Sequence, residues 1–126
     1  MVKQEKDRKY LVIYHGKTII YARFCKDFFS QARGLMFQTP LKNDQGLLID
    51  RGKESITKSS IHMLFVFFPI DVVWLDNKRR VVDKRENIKP FTPLVVPRKA
   101  TQFILELPQG MSKNIELGDI FEFKKD

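Results

Sequence analysis

Hydrophobic positions in this chain fall mostly into short runs that suit β-strands better than helices. The segment "YLVIYHGKTIIYARF" (residues 10–24) holds two β-branched and aromatic runs separated by His15-Gly16, and a glycine tolerates the positive φ of a tight turn. It predicts a hairpin. In "CKDFFSQARGLMF" the apolar residues Phe28, Phe29, Ala32, Leu35 and Met36 recur at helical spacing, with Lys26, Ser30 and Arg33 towards the other side. That is one short helix, ended or weakened by Gly34 and stopped by Pro40. "GLLI" begins a short strand at 46–50, and the polar "DRGKESITKSS" reads as an exposed loop. "IHMLFVFFPIDVVWLD" (61–76) predicts a buried strand at 61–67, a break at Phe68-Pro69 where proline offers no donor, and a second strand at 70–75. A turn at "LDNKRR" leads to a strand around 80–84, and Pro90, Pro93 and Pro97 make the next stretch an extended connection. In "ATQFILEL" Phe103, Leu105 and Leu107 share one strand face, and Gln102, Ile104 and Glu106 the other. A Pro108–Gly110 turn, one helical turn, a Gly118-Asp119 turn and a last strand complete the pattern. The fold class expected is mainly β, at the margin of α+β: a small β-sandwich or partly closed barrel with one or two short helices.

Composition narrows the setting. A chain of 126 residues with 43% hydrophobic residues, eleven of them Phe, can bury a core without metals or disulfides. Residues 1–9 are charged and aperiodic and predict a flexible terminus, leaving 10–126 as one globular domain. The lone Cys25 rules out an intramolecular disulfide, so a cytoplasmic setting is the default. The start of the chain lacks a signal-peptide core, and the longest apolar run is broken by Pro69 and Asp71, so no membrane is expected as a partner.

Charge adds one candidate surface. Lys and Arg number 23 against 15 Asp and Glu, and eight basic residues lie between 78 and 99: Lys78, Arg79, Arg80, Lys84, Arg85, Lys89, Arg98 and Lys99. Against them stand only Asp83 and Glu86. Such a segment can solvate a hairpin, or attract nucleic acid or another polyanion. Phe91 is its one stacking candidate, so nucleic-acid binding through it should be weak and salt-dependent.

Several pieces together resemble a named family, the domain-of-unknown-function family 192, also called uncharacterised protein family 0127. They are "ARGLMF" (32–37), "GLLI" (46–49), "HM" (62–63), "FPIDVVWLD" (68–76) followed by "VV" (81–82), "LELPQG" (105–110) and "GD" (118–119). Their order and spacing carry the likeness, and Arg33, Met36, Asp71, Glu106, Gly110 and Asp119 match. The resemblance implies a small, mainly β domain and no established activity. The chain departs from it at residues 62–66: where many bacterial relatives carry Trp-Met, a basic residue and Asn-Thr, it has His62-Met63-Leu64-Phe65-Val66.

The candidate chemistry is spare. Asp71 lies in an apolar run, so it must be hydrogen-bonded, ion-paired or protonated; backbone N–H groups near Pro69 or the side chain of Arg33 are the expected partners. Arg33, His62, Asp71 and Glu106 could instead line a polar pocket in which the arginine holds a carboxylate or phosphate. Glu106 could equally face solvent on its alternating strand, and His62 could be a satisfied core residue. Two histidines and one cysteine assemble no zinc site, the glycines form no nucleotide-binding loop, and no cofactor is implied. Three readings follow. The first is a binding or accessory module whose pocket takes a small ligand or protein segment. The second is a polyanion binder working through 78–99, and the third an enzyme using Asp71 or Glu106 as acid or base with Arg33.

Overall fold

The structure, a computed structural model, describes residues 9–25 and 40–126. Seven strands form one sheet: β1 (Lys9–Tyr14), β2 (Lys17–Cys25), β3 (Gln45–Ser55), β4 (Ile70–Leu75), β5 (Val81–Ile88), β6 (Thr101–Pro108) and β7 (Phe121–Lys125). Their order across the sheet is β5-β4-β6-β3-β2-β1-β7, and only the β2–β3 pair is parallel. The expected hairpin is β1–β2, with His15 (φ 51°) and Gly16 (φ 78°) both left-handed, as a two-residue turn between right-twisted strands requires. The expected helix around 28–36 lies outside the described residues.

The sheet curls without closing. Its two edge strands approach at one end, where Arg80 bridges Ile120 and the Phe121 N–H donates to the Arg79 carbonyl at 3.0 Å. Alternation then sorts side chains between an enclosed face and an outer face. The enclosed face carries Val12, Ile20, Leu48, Val73, Leu105 and Phe121, drawn from six of the seven strands. Leu47, Ile49, Val72, Trp74 and Ile104 point outward into a second cluster. Ile61, Met63, Val66, Phe68 and Val95, from two long connections, cover that outer cluster.

This covering layer corrects one expectation. Residues 61–67 are not a strand: only Ile61 is bridged, to Val95, and a turn follows. The run is apolar because it packs over the outer face, so hydrophobicity alone could not distinguish it from a sheet strand. A second correction concerns 50–60. The expected loop begins instead as more of β3, through Ser55, and Thr57–Ser59 is a short 3-10 helix. Pairing with β6 jumps from Asp50↔Phe103 to Ser55↔Thr101, so the intervening β3 residues bulge out, with Gly52 at φ 83°. Those residues are polar because they are exposed. Trp74 anchors the 3-10 helix by donating Nε1–H to the Ser59 carbonyl at 2.9 Å, while Ser59 Oγ donates to the Thr101 carbonyl at 2.9 Å.

Candidate functional site

The sheet separates the two carboxylates that the sequence pairs. On β4, Asp71 stands opposite Leu107 and shares the enclosed face with Val73; on β6, Glu106 stands between Leu47 and Val72 on the outer face. Asp71 and Glu106 therefore belong to opposite sides of one sheet. His62 lies in the covering layer, half-buried, with Nδ1 accepting the Leu64 N–H at 3.2 Å. Arg33 lies outside the described residues. The expected four-residue cluster is thus not one site, since Asp71 cannot share a pocket with Glu106.

Asp71 is fully buried and fully engaged. Its Oδ1 accepts the Asn87 N–H at 2.9 Å, and its Oδ2 accepts the N–H of Gly110 at 3.1 Å, the N–H of Ser112 at 2.9 Å and the hydroxyl of Ser112 at 2.6 Å. These are not the partners expected near Pro69. Each donor sits where the backbone leaves the ladder. Asn87, at φ 53°, forms a bulge in β5, and Gly110, at φ 88°, turns the chain after β6. Charge-assisted bonds of this kind make the carboxylate a tie among three segments. It is a structural group.

Glu106 is its opposite. Only 6% of the residue is exposed, yet its carboxyl makes no hydrogen bond with any described residue. Burial pushes its pKa up from an ordinary 4.5 to about 7, and the nearby charge of Arg23 only partly opposes this. The geometry explains the pairing: Arg23, Leu47, Glu106, Val72 and Arg85 stand side by side on five neighbouring strands, a row across the outer face. Behind the row, Gly46 brings β3 against β6 so closely that a Cβ would lie 2.8 Å from the Glu106 carbonyl oxygen and 2.6 Å from Ile20 Cδ1. The solvent-facing alternative for Glu106 is excluded. Its position on the strand was legible in the alternation, but what covers that face was not.

The basic segment does not form a stripe. The Arg79 guanidinium lies over the rings of Phe103 and Phe123, 5.8 and 5.3 Å from their centroids; Arg80 Nε pairs with Asp76 at 3.2 Å; and Lys84 Nζ donates to the Ser112 carbonyl at 2.8 Å. Arg98 grips Asp83 through its backbone N–H at 2.9 Å, Nε at 3.2 Å and a terminal nitrogen at 2.6 Å. Asp83 is fully buried, which alone would push its pKa up, but the Arg98 bonds outweigh that and hold it below the ordinary value. Lys78, Arg85, Lys89 and Lys99 are exposed and have no ion pair among the described residues. No group of three or more metal-ligating side chains occurs among the described residues, and none of their helices is long and apolar enough to cross a membrane.

A second tie joins β1 to the turn before β7. Tyr14 donates its hydroxyl to Asp119, which also accepts the Glu116 N–H at 2.9 Å. Burial and then the Asp119 carboxylate push the tyrosine pKa up to about 12.

Two solved structures share this architecture, each with a TM-score of 0.81. One, described as a candidate transcription regulator from Sinorhizobium meliloti, is 22% identical over 92% of this chain and 92% of its own. The other, a protein of unknown function from Novosphingobium aromaticivorans, is 24% identical over 90% of this chain and 83% of its own. At that identity they speak for the fold alone. A UPF0127 protein of Thermococcus kodakarensis is 38% identical over 87% of this chain, which spans 66% of that protein's length. Another UPF0127 protein, from Pyrococcus furiosus, is 32% identical over 91% of this chain and 97% of its own length. A sequence model of the uncharacterized family DUF192 matches residues 11–123, and the chain belongs to that family.

Proposed function

We propose that this chain is a small binding module that takes an acidic ligand, a carboxylate or a phosphate, at Glu106 on the outer face of the sheet. The observation that carries this reading is a glutamate on the outer face, only 6% exposed, whose carboxyl makes no hydrogen bond with a described residue and is pushed up in pKa by burial. Buried polar groups are normally satisfied within the fold, as Asp71 is here, and a carboxyl with no such partner among the described residues is suited to one from outside. Below about pH 7 the group is neutral and offers an O–H to an anionic oxygen, while the charge of Arg23 in the same row favours an anion over a cation. Arg33 is the sequence's candidate for a second cation at this site.

Isothermal titration with acetate, succinate and inorganic phosphate at pH 6 and pH 8 tests the reading. Wild type should bind at least one of them at pH 6 and lose affinity at pH 8. Glu106→Gln, which keeps a neutral donor, should bind at both pH values, and Glu106→Ala at neither. Equal affinity of wild type at the two pH values, or of wild type and the alanine variant, would refute it. Asp71 offers no support for an enzyme, because its lone pairs are already held by four donors. The polyanion alternative loses its stripe, because Arg79, Arg80, Lys84 and Arg98 are engaged elsewhere.

A further inference from the structure

The turn that joins β4 to β5 holds Arg79 in the left-handed region, at φ 63°. The Arg79 N–H donates to the Asp76 carbonyl at 3.0 Å, and Asp76 Oδ1 accepts the N–H groups of Lys78 and Arg80, both at 2.9 Å. Glycine or asparagine suits a left-handed position in a turn, and a long side chain there goes against local preference. Core burial does not account for the choice, because Arg79 is exposed. Its guanidinium instead lies over the rings of Phe103 and Phe123. The rings hold it by its charge, and its N–H groups have no hydrogen bond or ion pair among the described residues. The contact that keeps Arg79 out of a basic stripe therefore leaves its forked donors unused.

Strand directions bring four rings to the same end of the curled sheet as this turn. β1 and β6 begin there, and β2, β4 and β7 end there. Tyr10 and Phe24 pack with centroids 4.9 Å apart, Phe103 and Phe123 with centroids 5.3 Å apart, and all four belong to or pack against the enclosed cluster. Phe123 pairs with Val12, which makes it the diagonal neighbour of Tyr10 on that face. Tyr10, Phe24 and Phe123 are half-buried, so the rings are presented at the end of the sheet and not sealed inside it. Lys125 stands opposite Tyr10 and alternates to the same side as Phe123, whereas Glu122 alternates to the other. Asp50, opposite Phe103, is held by the Gly52 N–H at 2.8 Å and the Gln102 amide at 3.2 Å. We propose that this end of the sheet binds a small aromatic carboxylate, its carboxylate on the Arg79 fork with Lys125 beside it and its ring against Phe103, Phe123 and Tyr10. A planar guanidinium matches a planar carboxylate, half-buried rings match an aryl group, and the mouth of a curled sheet is a common place for such a pocket. The site does not involve Glu106 and stands apart from the ligand reading.

An amide-resolved NMR titration with benzoate, and with acetate as the ringless control, tests the proposal at pH 8, where the Glu106 carboxyl is charged. Benzoate should give saturable shifts centred on Arg79, Phe103 and Phe123, and acetate should bind at least about tenfold more weakly. Arg79→Gly removes the guanidinium while suiting the left-handed backbone, so it should weaken benzoate about tenfold with no loss in thermal midpoint. Phe123→Leu keeps the cation and removes a ring, and should bring benzoate down towards acetate. Glu106→Ala should bind benzoate as wild type does, which separates this site from the one proposed above. The proposal is overturned if benzoate gives no shifts or shifts centred elsewhere, if acetate binds equally well, or if Arg79→Gly binds as wild type does. A lowered midpoint for Arg79→Gly, together with no benzoate binding by wild type, would make the guanidinium a clamp on the two rings and nothing more.

Discussion

Glu106→Gln should make this protein more stable, and only at neutral and alkaline pH. The folded carboxyl titrates near 7, against 4.5 for an ordinary glutamate. At about 1.36 kcal/mol per pH unit, that difference is worth about 3 kcal/mol once both states have ionised. Below pH 4.5 both folded and unfolded chains carry the proton, and the group favours neither state. Between 4.5 and 7 the unfolded chain releases the proton and the folded chain keeps it, so stability falls as pH rises, and the loss is complete above 7. Glutamine matches the neutral acid in shape and does not titrate. Urea denaturation of both proteins at pH 4 and pH 8 reads the difference. The variants should agree within about 0.5 kcal/mol at pH 4 and separate by about 3 kcal/mol at pH 8, with the glutamine form higher by on the order of 10 °C in thermal midpoint. A constant gap at both pH values, or a less stable glutamine variant at pH 8, would show that the fold does not penalise the charge. A natural residue whose replacement stabilises the fold points to a function served at the cost of stability.

Two further substitutions test the scaffold around this row. Asp71→Asn puts an amide nitrogen where one carboxylate oxygen accepts donors from Gly110, Ser112 or Asn87, so it should cost about 2–4 kcal/mol in chemical denaturation while leaving ligand affinity at Glu106 unchanged. A loss of ligand binding with full stability would instead give Asp71 a part in the site. Gly46→Ala forces a methyl against the Glu106 carbonyl and Ile20, and should lower stability by about 1–3 kcal/mol, measured by thermal melts; an unchanged midpoint would mean that β3 and β6 can part freely.

Phe65 and Phe91, bulky residues at positive φ in the covering layer, and Glu106, a carboxyl on a buried face, depart from local preference on the outer side of the sheet. The enclosed face, by contrast, follows the rules: its apolar side chains are buried, and its one carboxylate in β4 is tied by four donors. Local consistency is the expectation for a sequence that folds to one structure, and departures from it concentrate where a surface has other work.

Much of the sheet was legible in the chain itself. The His15-Gly16 turn, the strand at 70–75, the strand "ATQFILEL" (observed as Thr101–Pro108), the break at Pro69 and the division of β6 into two faces all follow from residue-to-residue periodicity and from the backbone limits of glycine and proline. Such signals are local, and sheet strands read them directly. What the sequence left open depends on contacts between distant segments. Asp71 finds donors 16, 39 and 41 residues away, which no spacing rule selects. The basic run 78–99 looked continuous because its residues are adjacent in sequence, but an edge strand and a return connection send their side chains to different partners. Residues 61–67 carried the hydrophobicity of a buried strand, and only the packing of two connections over the outer face showed that they are a cover. Glu106 is likewise buried, at an alternation position consistent with solvent or with a second layer. A strand's periodicity tells which side a residue faces; only the tertiary structure decides what lies there.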